Sequence, residues 1–298
     1  MAKIGIVTVL YNSASVIEDY FKTLSEQTYK DFVLYIIDNK SPDNSLFLSK
    51  KLAEKYKKSF DSIIIENDKN YGVAKGNNIG IKQAKNDGCE YILLSNNDIE
   101  LKKDCIESCI KKYMDENPDM LVPKIYFYDE PLIWYAGGDF KWIAGTIRQW
   151  GYLLKDDNPL YSKSKYVDYA PTCFMLIRSS LFDKIGYFDE KYFVYYDDTD
   201  WVYRCIKAGK KLYYFADTCL WHKESTSTGG MKSDFYLHYA NRNKIYFCIK
   251  NYGIIKKILA LFAIQINYYL FVRPRMNSHQ RAIIKKSYIE GFKMRSNE

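Results

Sequence analysis

The seven cysteines form no C-x-x-C pair, and an odd count cannot complete a disulfide framework, so neither a structural zinc site nor a stapled secreted domain is expected. The setting implied is reducing and cytoplasmic. Neither G-x-G-x-x-G nor G-x-x-x-x-G-K-[ST] occurs, which removes support for ordinary dinucleotide-binding and P-loop chemistry. The N-terminus lacks a basic leader and a small-residue cleavage pattern and enters Lys3–Leu10 directly, which reads as a first strand. Residues 254–272 are long enough to suggest a span, but Lys256, Lys257, Gln265 and Asn267 interrupt them, and no transmembrane helix is expected.

What is present describes a folded protein. A chain of 298 residues with 47% hydrophobic and 27% charged content can bury a full core, as one large α/β domain with an appendage or as two small ones. The 29 tyrosines suit sugar-binding surfaces and interfaces, yet by themselves carry no function. The formal charge is +8, and residues 250–298, with ten Lys and Arg against Glu290 and Glu298, hold an equal surplus. The positive excess is a property of the tail, for which an anionic membrane is the favoured partner and nucleic acid the less favoured.

Along the chain, residues 3–10, 31–37, 62–66 and 91–95 read as strands, with helices over 15–25, from about 44 to 56, and 72–87 between them. Strands alternating with helices predict a parallel, doubly wound sheet whose carboxyl edge collects Asp38, Asn70 and Asp98. A nucleotide fits such an edge, and Gly72 and Gly76 at a helix start are candidates for backbone approach to a phosphate. Beyond a helix over 101–117 the rhythm ends. Segments 120–128 and 134–150 are aromatic and β-like, 167–169, 174–178 and 211–215 read as strands, and short helices are expected over 179–185 and 201–208.

Two acidic clusters stand out. Asp98 closes the run Tyr91–Ser95 through Asn96 and Asn97; a turn or helix cap is the plainer reading, a metal-holding carboxylate the functional one. Asp197, Asp198 and Asp200 precede Trp201, where acids complement a helix dipole for about 0.3–1 kcal/mol each or, with a raised pKa, supply a general base. His222 alone is weak.

Several motifs then occur in one order: Val9-Leu10-Tyr11-Asn12, Ile37-Asp38-Asn39-x-Ser41, Asn70-x-Gly72-x-Ala74-x-Gly76-Asn77-Asn78-x-Gly80, Leu94-Ser95-Asn96-Asn97-Asp98, Phe188-Asp189-Glu190 with Asp197-Asp198-x-Asp200, Lys207-Ala208-Gly209, and His222. Across roughly residues 3–250 the chain resembles the inverting family-2 glycosyltransferases of GT-A fold, especially the bacterial rhamnosyltransferase-like branch of surface-polysaccharide synthesis. The resemblance implies a Rossmann-like, mostly parallel central sheet flanked by helices. It divides the chain into a catalytic domain at 1–240 (nucleotide-sugar half 1–100, acceptor half 101–240) and a basic helical extension at 241–298.

The resemblance also assigns roles. Thr8, Leu10, Asn12, Asp38, Asn39, Asn70, Gly72, Lys75, Asn78, Asn96 and Asn97 bind the nucleotide sugar; Asn12, Asp38 and Asn70 line the base and ribose pocket. Asp98, with His222 nearby, holds Mn2+ or Mg2+ on the diphosphate. Asp198 is the base, with Asp197 and Asp200 in support. Asn96 stands where the signature usually has Asp, and Asp197 shortens the usual Glu of a Glu-Asp pair. One base opposite a leaving-group charge sink implies inversion.

The expected donor is UDP- or dTDP-linked, and the acceptor is a hydroxyl of a saccharide or polyprenyl-linked glycan. The expected location is the cytoplasm or the inner face of its membrane, with the tail packing on the membrane, on a second subunit or on its own domain. A nucleotidyltransferase that makes the activated sugar, whose Gly- and basic-rich N-terminal loop is missing, and a non-catalytic sugar-nucleotide or nucleic-acid binder are the alternatives.

Overall fold

The computed structural model describes residues 3–223 and 233–294, so Arg295 and Glu298 of the basic tail lie outside the described residues. Four strands, β1 (Ile4–Leu10), β2 (Phe32–Asp38), β3 (Asp61–Glu66) and β4 (Tyr91–Ser95), lie parallel in the order β3-β2-β1-β4. They are joined by α1 (Ile17–Ser25), α2 (Ser45–Tyr56) and α3 (Gly72–Asn86). Every residue of β2 is buried, which is why its sequence is a continuous apolar run, whereas edge strand β3 is largely exposed.

The sheet continues with a change of direction. After β5 (Ile99–Leu101) and α4 (Cys105–Glu116), β6 (Met120–Phe127) leads into the short strands β7 (Leu132–Tyr135), β8 (Gly138–Lys141), β9 (Thr146–Gln149), β10 (Leu154–Lys155) and β11 (Lys165–Val167). Strand β12 (Phe174–Arg178) then inserts antiparallel between β4 and β6, with Phe174 opposite Ser95. The parallel expectation therefore holds for the first four strands, and the whole sheet is mixed. β12 is reached through short hairpins and loops, without the crossover helix that a parallel neighbour needs.

After α5 (Leu181–Ile185), α6 (Asp197–Lys207) begins four residues earlier than its sequence pattern suggests, so the acids occupy its first turn. β13 (Leu212–His222) is an eleven-residue strand broken by a bulge between Phe215 and Cys219, which hides its continuity from the periodicity. Its last residues pair with β5, setting His222 opposite Ile99.

Three helices complete the chain: α7 (Asp234–Asn251), α8 (Ile254–Asn267) and α9 (Ser278–Lys293). The Ser233 hydroxyl caps α7 by accepting from the Tyr236 N–H at 3.1 Å, and Asn277 with Gln280 forms a capping box on α9. A second apolar core joins Tyr192, in the segment before α6, to Leu237, Ile245, Phe247, Ile264 and Ile284 of these helices. The boundary expected at residue 240 falls inside α7, because that helix is packed and hydrogen-bonded to the segment before α6. The helical run Ile254–Arg275 has 22 residues, and its most apolar 18-residue window has a mean hydropathy of 1.4, long and apolar enough to cross a membrane by length and composition. The interruptions expected to exclude this do less than anticipated: both lysines stand in the first turn, and Ile258–Val272 carries no charge.

Candidate active site

A cavity of about 450 Å3 opens at the carboxyl edge of the parallel strands, lined by Tyr11, Asn39, Asn70, Gly72, Asn77 and Asn96–Asp98 on one side and by Thr172, Phe193, Val194 and Phe235 on the other. The ends of β1 and β2 and the start of α3 form its floor through side chain to backbone bonds. Asn39 Nδ2 donates to the Gly72 carbonyl at 3.0 Å, Asn70 Oδ1 accepts from the Gly72 N–H at 2.9 Å, and Asn97 Nδ2 donates to the Val9 carbonyl at 2.9 Å.

Gly72 has φ +81°, and a Cβ there would stand 2.3 Å from the Phe193 carbonyl oxygen, which itself accepts from the Val73 N–H at 2.6 Å. Only glycine allows α3 to start this close to the opposite wall. Gly76 and Gly80 have a different use from the phosphate approach suggested for Gly76: they let α3 press on Val9 and Val7 of β1.

Of the expected donor residues, Asn39, Asn70, Gly72, Asn96 and Asn97 line this cavity, as does Asp98. The others do not. Thr8 and Leu10 are fully buried on β1, whose pleat turns Val9 and not its neighbours toward the opening. Asp38 is buried and accepts from the Ser41 N–H at 3.3 Å, holding the turn after β2. Asn78 donates to the Phe188 carbonyl at 2.9 Å and accepts from its N–H at 3.0 Å, tying α3 to the segment before α6. Lys75 stands 4.0 Å over the Tyr71 ring, and Asn12 is exposed at φ +54°.

The far wall depends on strained backbone. Phe193, Tyr195 and Tyr196 all have φ between 60° and 67°, a region costly for non-glycine residues, immediately before the acids of α6. α7 holds them there. The buried Asn243 Nδ2 lies 2.9, 2.7 and 2.9 Å from the carbonyls of Tyr192, Val194 and Tyr195, and the Arg242 guanidinium donates to Lys191 and Tyr192 carbonyls. Nothing in the local sequence signals this clamp, which joins residues about fifty positions apart.

The three acids of α6 separate in space. Asp200 is fully buried and takes Arg204 Nε, Lys250 Nζ and Asn251 Nδ2 at 2.9, 2.9 and 2.8 Å, so it anchors α6 to α7 rather than serving the cavity. Asp198 accepts from the Tyr169 hydroxyl at 2.9 Å and from the Thr199 N–H at 2.6 Å. Burial raises its pKa against these bonds, and burial followed by the charge of Asp198 pushes the Asp197 carboxyl up to about 8.

Asp198 is not in the cavity lining; the stretch from Tyr169 to Cys173, to which the sequence assigns no functional role, runs between it and the cavity. Tyr169 holds Asp198, Thr172 lines the cavity, and the Cys173 carbonyl accepts from the Asn96 N–H at 2.8 Å. Burial is the first cause that raises the Cys173 thiol, and the charges of Asp98 and Asp198 add to it. On the Asp98 side, His222 Nε2 is 3.2 Å from Asp98 Oδ1, and the imidazole packs edge-on against Trp134 with ring centroids 4.7 Å apart.

This architecture, a cavity at the switch from parallel to antiparallel strands with Asp98 in its lining, is a GT-A fold. It overlays on S. aureus TarS with a TM-score of 0.62 and 15% identity, over 97% of this chain and 49% of that one, so the chain spans about half the length of TarS. Residues 5–186 match the family described as Glycosyl transferase family 2, and the chain belongs to that family. Among curated relatives it is 24% identical to glycosyltransferase GlyG of Streptococcus pneumoniae serotype 4, over 80% of this chain and 75% of that one. It is 30% identical to rhamnosyltransferase WbbL of Escherichia coli K12, over 66% and 76% respectively.

Proposed function

We propose that the cavity takes the nucleoside diphosphate of a UDP- or dTDP-linked sugar, and that the chain transfers a hexosyl or rhamnosyl unit, with inversion, to a hydroxyl of a saccharide or lipid-linked glycan. The observation that carries this reading is the cavity at the carboxyl edge of the parallel strands, with Asp98 in its lining and His222 Nε2 3.2 Å from that carboxylate. Asp198 is the general base: its raised pKa suits removal of a hydroxyl proton near neutral pH, and Tyr169 with Thr199 fixes the direction of its lone pairs. Family membership, the relatives named as glycosyltransferases, and a TarS structure with UDP at a TM-score of 0.60 support the donor class.

Asp98 and His222 fit a divalent cation such as Mn2+ or Mg2+. Two ligands adjacent on an octahedral ion with bonds of about 2.1 Å stand about 3 Å apart, and these atoms are 3.2 Å apart in a buried setting. Among the described residues no group of three His, Cys, Asp or Glu converges on one point, so the remaining ligands would be diphosphate oxygens and water. The ion, when bound, would neutralise the charge that develops on the departing diphosphate. The amides of Asn39, Asn70 and Asn97 order the backbone that meets the nucleotide.

Thermal unfolding with UDP, dTDP and their sugar conjugates, with and without Mn2+, tests the donor assignment. A matching donor well above its Kd raises stability by roughly 2–4 kcal/mol. Absence of a shift with every nucleotide contradicts it.

A further inference from the structure

We propose that the outer face of the α8 run lies in the plane of an anionic lipid surface and holds the catalytic domain there. The face is a single stripe. Ile254, Ile255, Ile258, Leu259, Phe262, Ile266, Tyr269 and Leu270 are all exposed, at the three- and four-residue spacings that put them on one side of a helix. The opposite side carries Ala260, Ile264 and Tyr268, which are buried in the second core. Only 17% of the most apolar window of Ile254–Arg275 is buried, so the helix is apolar on both sides and packed on one.

The lysines do not break the stripe. Lys256 turns inward, its ammonium 4.4 Å from the centre of the Tyr252 ring and 5.5 Å from those of Trp142 and Tyr203. The helix is therefore fastened to its own domain at its start by Lys256 and further along by Ala260, Ile264 and Tyr268. Fastened this way, it presents its length to a surface; spanning a bilayer would strip those contacts away.

Charge identifies the occupant. Exposed Arg273 and Arg275 end the run, and exposed Lys285 and Lys286 stand on α9. A second copy of the chain would bring the same basic groups to this face, whereas anionic headgroups neutralise them. The stripe from Ile254 to Leu259 also exposes only aliphatic side chains, which a bilayer accepts without directional bonding.

Flotation of the full chain with vesicles of phosphatidylcholine containing about one-third phosphatidylglycerol tests this. The wild-type chain floats at low salt and is progressively released as salt rises. Ile258→Glu with Phe262→Glu lowers vesicle affinity more than about tenfold, and Arg273→Gln with Arg275→Gln lowers it about thirtyfold. Both variants keep the far-ultraviolet circular dichroism and the solution rate of nucleoside diphosphate release. Equal flotation of wild type and the Glu variant overturns the proposal. Binding that is the same on neutral lipid and insensitive to salt overturns the assignment to an anionic surface. A dimer that the Glu substitutions dissociate, from a chain that binds no vesicle, assigns the face to a second copy instead.

Discussion

The two walls of the cavity are built by different means. The wall from residues 9–98 stands on the ends of parallel strands, where each polar side chain inherits its place from a buried, apolar strand beneath it. The opposite wall, with Thr172, Phe193 and Val194, is loop that leads into α6, held with positive φ at Phe193, Tyr195 and Tyr196 by hydrogen bonds from a helix about fifty residues further on. A rigid floor suits a nucleotide whose shape does not change between donors. A wall fixed from a distance can vary with the acceptor while the floor stays constant.

The contrast can be broken most severely where the walls meet. Gly72→Val puts a branched side chain at φ +81° against the Phe193 carbonyl, and a loss of about 4 kcal/mol is expected in denaturant unfolding. The far wall alone is tested by Asn243→Ala. The Val194 and Tyr195 carbonyls lose this donor while Tyr192 keeps Arg242, stability falls by about 2–3 kcal/mol, and KM for the acceptor rises more than Kd for the nucleotide, because the floor is intact. The floor alone is tested by Asp98→Asn, which is expected to weaken Mn2+-dependent nucleotide binding about 10–100-fold in calorimetry, with metal-free binding little changed; chelation of the metal should have the same effect on wild type.

The smallest effect concerns the pair at the start of α6. A base works once it has lost its proton, so turnover rises with pH through the raised pKa of Asp198. Burial and the charge of Asp198 keep the Asp197 carboxyl neutral below about pH 8, so Asp197→Asn removes no charge there and the rate profile moves by less than about one unit.

The sequence carries most of the floor openly. Strand length, apolar runs and the Asn and Asp residues that end them locate β1 to β4 and the acids at their edge, because burial on both faces leaves a plain pattern in each segment. The side on which a residue falls is less legible: Thr8 and Leu10 sit one position from the cavity-lining Val9, and a single step along a strand reverses the face. The far wall was legible only as three acids and a run of aromatics. Tyr169, Thr172 and Cys173 matter because β12 pairs with β4, and Asn243 because α7 packs on Tyr192. Both are long-range pairings that no local periodicity records. Asp200 resembles its neighbours in sequence and differs only in facing Lys250 and Arg204.

The most direct test of Asp198 as the base is nucleoside diphosphate release by Asp198→Asn from whichever UDP- or dTDP-sugar stabilises the wild type. The account predicts folded protein with donor affinity within about threefold of wild type and a turnover lower by about 10^3. Near-native turnover by folded Asp198→Asn would contradict it.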